Sequence, residues 1–139
     1  MNINLTRFAA IAAVSFIAFH AGAACAATVG HATDVIGTVT VKRAEVSAPV
    51  KSGDGIEPGD IIQAQEKSRV KIIFDDKTEF VIGGPGKVTV DAYIYNPGNS
   101  GDNKAEFSVL GAAFAYVGGL IERDKKPNVK FNLDFGSIG

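Results

Sequence analysis

Few side chains in this chain could do chemistry, and their spacing restricts what that chemistry could be. Asp75 and Asp76 are an adjacent carboxylate pair, which an acid–base hydrolase would need to bring onto one substrate bond. Neighbours on a strand point to opposite faces, so the pair reads instead as a hairpin tip, where Asp tolerates turn conformations and bonds its own backbone. Asp54, Glu57 and Asp60 fall in a Gly- and Pro-rich stretch and could gather oxygen ligands for calcium, although their spacing is not that of an EF-hand loop. Asn96 to Asn103 is a second loop of calcium-like composition, and its plainer reading is a surface connection. Gly83-Gly84-Pro85-Gly86 is no phosphate loop, because neither a Lys-Ser/Thr pair nor a helix N-terminus follows it. Tyr93 and Tyr95 stand two apart on one predicted strand, both on its expected outward face. Two rigid rings with polar tips could stack on a sugar or anchor a protein, so they are the candidate partner-binding residues; they could equally cover a second layer of core.

The absences restrict the chemistry further. The sequence has no Trp and a single Cys, Cys25. Past residue 26 the one histidine is His31, so a Ser-His-Asp or Cys-His site has almost nothing to work with. Residues 1–26 have the layout of a helical secretory signal peptide: Arg7, an uncharged run from Phe8 to Phe19, and small residues from Ala21 to Ala26. Cleavage after Ala26 satisfies the A-x-A rule through Ala24 and Ala26; Ala21 and Ala23 offer a second site. A spanning helix would need roughly 20 strongly apolar residues, and this run is mostly Ala, so no transmembrane span is expected after cleavage. Cys25 would leave with the leader. A lipid anchor on Cys25 is the lesser reading, because Gly22 stands where a lipoprotein box has Leu.

About 113 residues then remain, enough for one domain. Of 14 basic residues one is Arg7 in the leader, against 15 acidic residues overall, and the signs are interspersed. Such a surface has no electrostatic footprint for nucleic acid.

The elements that must position these residues are strands. Val70, Ile72 and Phe74 alternate with Arg69, Lys71 and Ile73, and Ile73 suggests burial on both faces. Val88, Val90, Ala92 and Ile94 alternate with Lys87, Thr89, Asp91, Tyr93 and Tyr95. Ala105, Phe107 and Val109, and later Val129, Phe131, Leu133 and Phe135, repeat the pattern. Turn clusters such as Pro58-Gly59-Asp60 and Asn96-Pro97-Gly98-Asn99 separate the runs, where Gly permits positive φ and Pro fixes φ. The fold class is all-β: a single small domain of short antiparallel strands, as a sandwich, a roll or a short solenoid. The expected organisation is a signal peptide over 1–26, a loose N-terminus over 27–34 and a β domain over 35–139.

Three stretches carry a family likeness: Gly53-Asp54-Gly55-Ile56 to Ile62, Ser68-Arg69-Val70-Lys71-Ile72-Ile73-Phe74-Asp75-Asp76-Lys77-Thr78, and Gly86-Lys87-Val88-Thr89-Val90-Asp91. In order and type they resemble the FecR domain, whose blocks read G-D-x-I-x-T, S-R-V-x-I-x-F-x-D-G-T and L-G-P-x-S-x-V-x-I-D-x-Y. Tyr93-Ile94-Tyr95-Asn96-Pro97, Phe107 to Ile121 and Val129-Lys130-Phe131 are similar to the later blocks. The likeness covers about residues 35 to 139. It departs at Lys77, where the family turn has Gly, and at Leu133 to Gly139, which stand for a longer family ending.

The resemblance implies an exported, non-enzymatic β domain, periplasmic or secreted, that meets a protein or cell-envelope partner. In signalling members such a domain hears an outer-membrane receptor and controls a sigma factor. Here seven residues precede the apolar run, so the expectation is a sensor-like domain without the cytosolic sigma-binding part. No cofactor is expected. The alternatives are a calcium-binding structural or adhesive exoprotein and a carbohydrate-active enzyme using a carboxylate pair.

Overall fold

The computed structural model describes residues 26–134 and 136–138 of the chain. The expected leader over 1–26, including Cys25, and the expected inward Phe135 lie essentially outside the described residues. Among the described residues twelve strands follow one another: β1 (Gly30–Ile36), β2 (Val39–Arg43), β3 (Val46–Pro49), β4 (Gly55–Ile56), β5 (Ile61–Ala64), β6 (Arg69–Phe74), β7 (Glu79–Gly83), β8 (Gly86–Ile94), β9 (Lys104–Leu110), β10 (Ala113–Val117), β11 (Val129–Leu133) and β12 (Gly136–Ile138). One 3-10 turn, Ser100–Asp102, interrupts them. The chain is all-β, as the period-two alternation requires. Among the described residues no helix is long and apolar enough to cross a membrane.

The strands form two sheets, ordered β10-β7-β6-β1-β4 and β12-β11-β9-β8-β5-β2-β3. Pairing is antiparallel except between β9 and β11, which run parallel with Phe107 opposite Phe131. That parallel pair requires the long crossover from Leu110 to Val129, and β10 is built inside it, in the opposite sheet. The inner faces meet in one core. Val70, Ile72, Phe74, Phe80 and Ile82 come from the five-stranded sheet, and Ile62, Val88, Val90, Phe107 and Val109 from the other. Aromatic rings link the layers in a continuous run. Tyr93 stacks on Phe74 at 4.9 Å, Phe74 meets Phe107 at 5.5 Å, and Phe107 stacks on Phe80 at 5.1 Å. Phe131 then lies 5.5 Å from Phe114 and 4.9 Å from Tyr116.

Two expectations are corrected. The segment 27–34 is not a loose N-terminus: β1 begins at Gly30, pairs with β6 and buries Ala32 completely. The outward placement of Tyr93 is also overturned. The register of β8 against β9 shifts between Val90 and Ala92, so Asp91 is an extra residue that turns the rest of the strand over. Val88 and Val90 face inward as expected; beyond the bulge Tyr93 is buried at 5 % exposure and Ile94 is exposed.

Candidate functional site

The turn joining β6 to β7 carries Asp76, whose side chain is fully buried. Its carboxylate accepts bonds from the Thr78 amide at 3.1 Å, the Thr78 hydroxyl at 2.8 Å and the Ile121 amide at 3.1 Å. A very short bond from the Tyr93 hydroxyl completes the set. The Tyr93 oxygen in turn accepts the Asp76 amide at 3.2 Å. The Asp76 carbonyl receives the Leu120 amide at 2.7 Å, and the Thr78 hydroxyl oxygen receives the Gly119 amide at 3.1 Å. A polar knot thus ties the β6–β7 turn, β8 and the segment after β10 together, with every buried side-chain nitrogen and oxygen among the described residues paired.

This arrangement places the segment after β10 tightly. A Cβ on Gly119 would stand 2.3 Å from the Asp76 carbonyl oxygen and 2.5 Å from the Thr78 nitrogen, so only Gly allows this approach. The turn itself needs left-handed backbone at Lys77, with φ +70°. Burial, then the bond to Asp76, pushes the Tyr93 hydroxyl far above its ordinary pKa. Burial and the nearby charge of Glu122 push Tyr116 up to about 12.

Anchored in this way, the segment presents Leu120 outward at 43 % exposure. On one side of Leu120 a depression is lined by Lys77, Glu79, Val117 and Arg123. On the other, a second depression is lined by Tyr95, Pro97, Ser100 and Arg123. Leu120 and Arg123 line both, so the surface is continuous: apolar at Val117 and Leu120, aromatic at Tyr95, cationic at Arg123. The structure therefore separates the two candidate tyrosines. Tyr95 stays half-buried at this surface, whereas Tyr93 lies beneath it as a support.

The remaining candidate groups are used by the fold. Asp60 is fully buried and receives Arg43 through two bonds, 2.8 Å from Nε and 2.7 Å from Nη2. Glu57 faces the same guanidinium at 2.9 Å, and Asp54 accepts the Lys51 amide at 2.8 Å. Glu57 and Asp60 are thus both engaged by the Arg43 guanidinium. In the 96–103 loop, Asn96 accepts from Gly98 at 2.9 Å and Asn103 from the Asn96 amide at 2.7 Å, so these oxygens close the loop on itself. Among the described residues no three His, Cys, Asp or Glu side chains converge as a metal group. Asp75 is exposed and Asp76 buried, so the pair cannot face one substrate bond. His31 lies exposed on β1. On the opposite sheet Ser108 donates to Asp91 at 2.5 Å, a pair that holds no imidazole.

Leu120 and Arg123 were not singled out by the sequence pattern, and Asp76 was read there only as part of a hairpin tip. The one local signal was Gly118-Gly119 ahead of an apolar pair, which marks close backbone approach without saying to what. No family model, no curated protein and no solved structure matches the chain.

Proposed function

We propose that this chain is an exported, non-catalytic FecR-like β domain, periplasmic or secreted, that binds a protein partner in a sensory or regulatory role. The observation that carries the reading is the surface around Leu120. An exposed Leu and Val flanked by a Tyr and an Arg have the composition of an interface centre, where aromatic and guanidinium groups supply most of the binding energy. The buried knot at Asp76 supports the reading too, because it holds this segment rigid before any partner arrives and lowers the ordering cost of binding. The ordered series of FecR-type blocks and the leader-like first 26 residues support the reading of family and compartment. Commitment of the acidic groups to backbone and guanidinium partners favours a binding role over hydrolysis.

A photo-crosslinking amino acid at Leu120 tests this in cells exporting the chain, with Val46 on β3 as control position. One or a few discrete protein adducts at position 120, absent at position 46 and lost with Arg123→Glu, are expected. Equal adducts at both positions, or none at 120, refute the reading. Intact mass tests export separately: a mature chain starting at Ala27 is expected, and retention of Met1 refutes it.

A further inference from the structure

The free edge of β10, which adjoins the Leu120 surface at Val117 but offers unpaired backbone rather than side chains, supports a further inference. Exposed sheet edges are normally blunted by shortness, charge, proline or a bulge, because unpaired backbone groups recruit another strand. The other edges here are blunted. β4 has two residues and β12 has three, while β3 ends at Pro49 and follows a Lys42–Glu45 ion pair. β10 has none of these protections. It reads Ala-Phe-Ala-Tyr-Val, pairs with β7 through five consecutive positions without a bulge, and ends its sheet.

We propose that β10 pairs with β10 of a second copy of this chain, antiparallel about a two-fold axis at Ala115, joining two five-stranded sheets into one. The register follows from geometry. A two-fold axis perpendicular to the sheet keeps each outward face outward, so residues opposite one another must have the same parity and the axis must pass through a residue. Pairing all five residues of Ala113–Val117 leaves Ala115 as the only centre. Ala115 then faces Ala115 of the copy, Ala113 faces Val117, and inward Phe114 faces Tyr116. On the outward face a small residue meets itself on the axis and a small residue meets a branched one beside it, so that face is not overfilled, and on the inward face each Phe114 forms an aromatic cross-strand pair with Tyr116.

Charge agrees with a second copy. β10 carries no charge, and two ion pairs behind it cancel within each chain, Lys71 with Glu79 at 2.7 Å and Arg69 with Asp34 at 3.2 Å, while Glu122 lies beyond its end beside Gly118. No residue of β10 itself therefore sets a like charge against its copy across the axis. The outward stripe of Ala113, Ala115 and Val81 is apolar and continues across the seam. Five residue pairs bury less than the roughly 1,200 Å² of a standard interface, so dissociation on the order of 100 µM is expected.

The test is sedimentation equilibrium of the full chain from about 10 µM to about 1 mM, a range that brackets that constant. Wild type should pass from monomer to dimer. Ala115→Glu, and separately Ala115→Lys, put like charges directly opposite on the axis and should weaken dimerisation about fivefold; an equimolar mixture of the two should restore it. Ala115 is exposed, so neither variant disturbs the core. The proposal is overturned if wild type stays monomeric throughout, if both charged variants dimerise like wild type, or if the mixture shows no recovery. Wild type that is monomeric alone but binds an added extended peptide at this edge would overturn it in favour of a foreign strand.

Discussion

Tyr93→Phe isolates the polar knot from the core it sits on. The ring remains, and with it the stack on Phe74 at 4.9 Å and an interplanar angle of 20°. Only the hydroxyl is lost, with two consequences. The Asp76 carboxylate loses its shortest bond, a charge-assisted one worth about 1.5–3 kcal/mol. The Asp76 amide, whose partner was the Tyr93 oxygen at 3.2 Å, is left unpaired at a buried site, a further cost of about 1 kcal/mol or more. Because the carboxylate keeps Thr78 and Ile121 as donors, it does not become an orphaned charge, and we expect a total loss of about 3 kcal/mol. That is a large share of the roughly 5–15 kcal/mol that holds a domain of this size. Urea unfolding followed by far-UV circular dichroism should show the midpoint falling by about 2 M at a slope of about 1.5 kcal/mol/M. In an Asp76→Ala background the same substitution should cost under about 1 kcal/mol, because its partner has gone. Should Asp76→Ala fail to fold, Thr78→Val serves as the second arm, since it removes one donor and keeps the carboxylate. A Tyr93→Phe midpoint within about 0.3 M of wild type would refute the knot as a stabilising device.

Three further outcomes follow from other positions. Lys77→Gly relieves left-handed backbone at φ +70° and should raise stability by about 0.5–1 kcal/mol, read as a higher urea midpoint; a lower one refutes the strain. Arg43→Ala leaves Asp60 fully buried without its cation and should cost about 2 kcal/mol, discounted because the guanidinium side is half exposed, whereas loss under about 0.5 kcal/mol would show that water replaces it. The raised Tyr93 pKa means that above pH 10 the folded chain keeps a proton the unfolded chain releases; stability is therefore complete below about pH 10 and falls above it by about 1.4 kcal/mol per pH unit for this group. Urea midpoints between about pH 9 and 11 should fall more steeply for wild type than for Tyr93→Phe, and parallel curves refute the coupling.

The turn at Asp76-Lys77-Thr78 marks the reach of local sequence. Its position as a hairpin tip was legible, because Asp in a turn has a local cause. That Asp76 would turn inward was not, since the donors that make burial tolerable come from Tyr93 and Ile121, which are 17 and 45 residues away. Tyr93 illustrates the same boundary. The alternation along β8 was read correctly up to Val90, but one unpaired residue at Asp91 reversed every side chain after it. A bulge is a property of two strands, and a single strand's periodicity does not record it.

The sequence by itself determined the all-β class, the inward residues of β6, β9 and β11, the turn positions, and the scarcity of groups able to do nucleophilic chemistry. Each of these depends on neighbours along the chain, through side-chain alternation, φ preferences and residue type. Only the tertiary structure decided that β9 and β11 run parallel, that Arg43 neutralises Asp60, that Tyr93 supports the surface while Tyr95 lines it, and that β10 ends its sheet unguarded. Those outcomes depend on which strands become neighbours, and desolvation and hydrogen-bond pairing between distant segments set that choice.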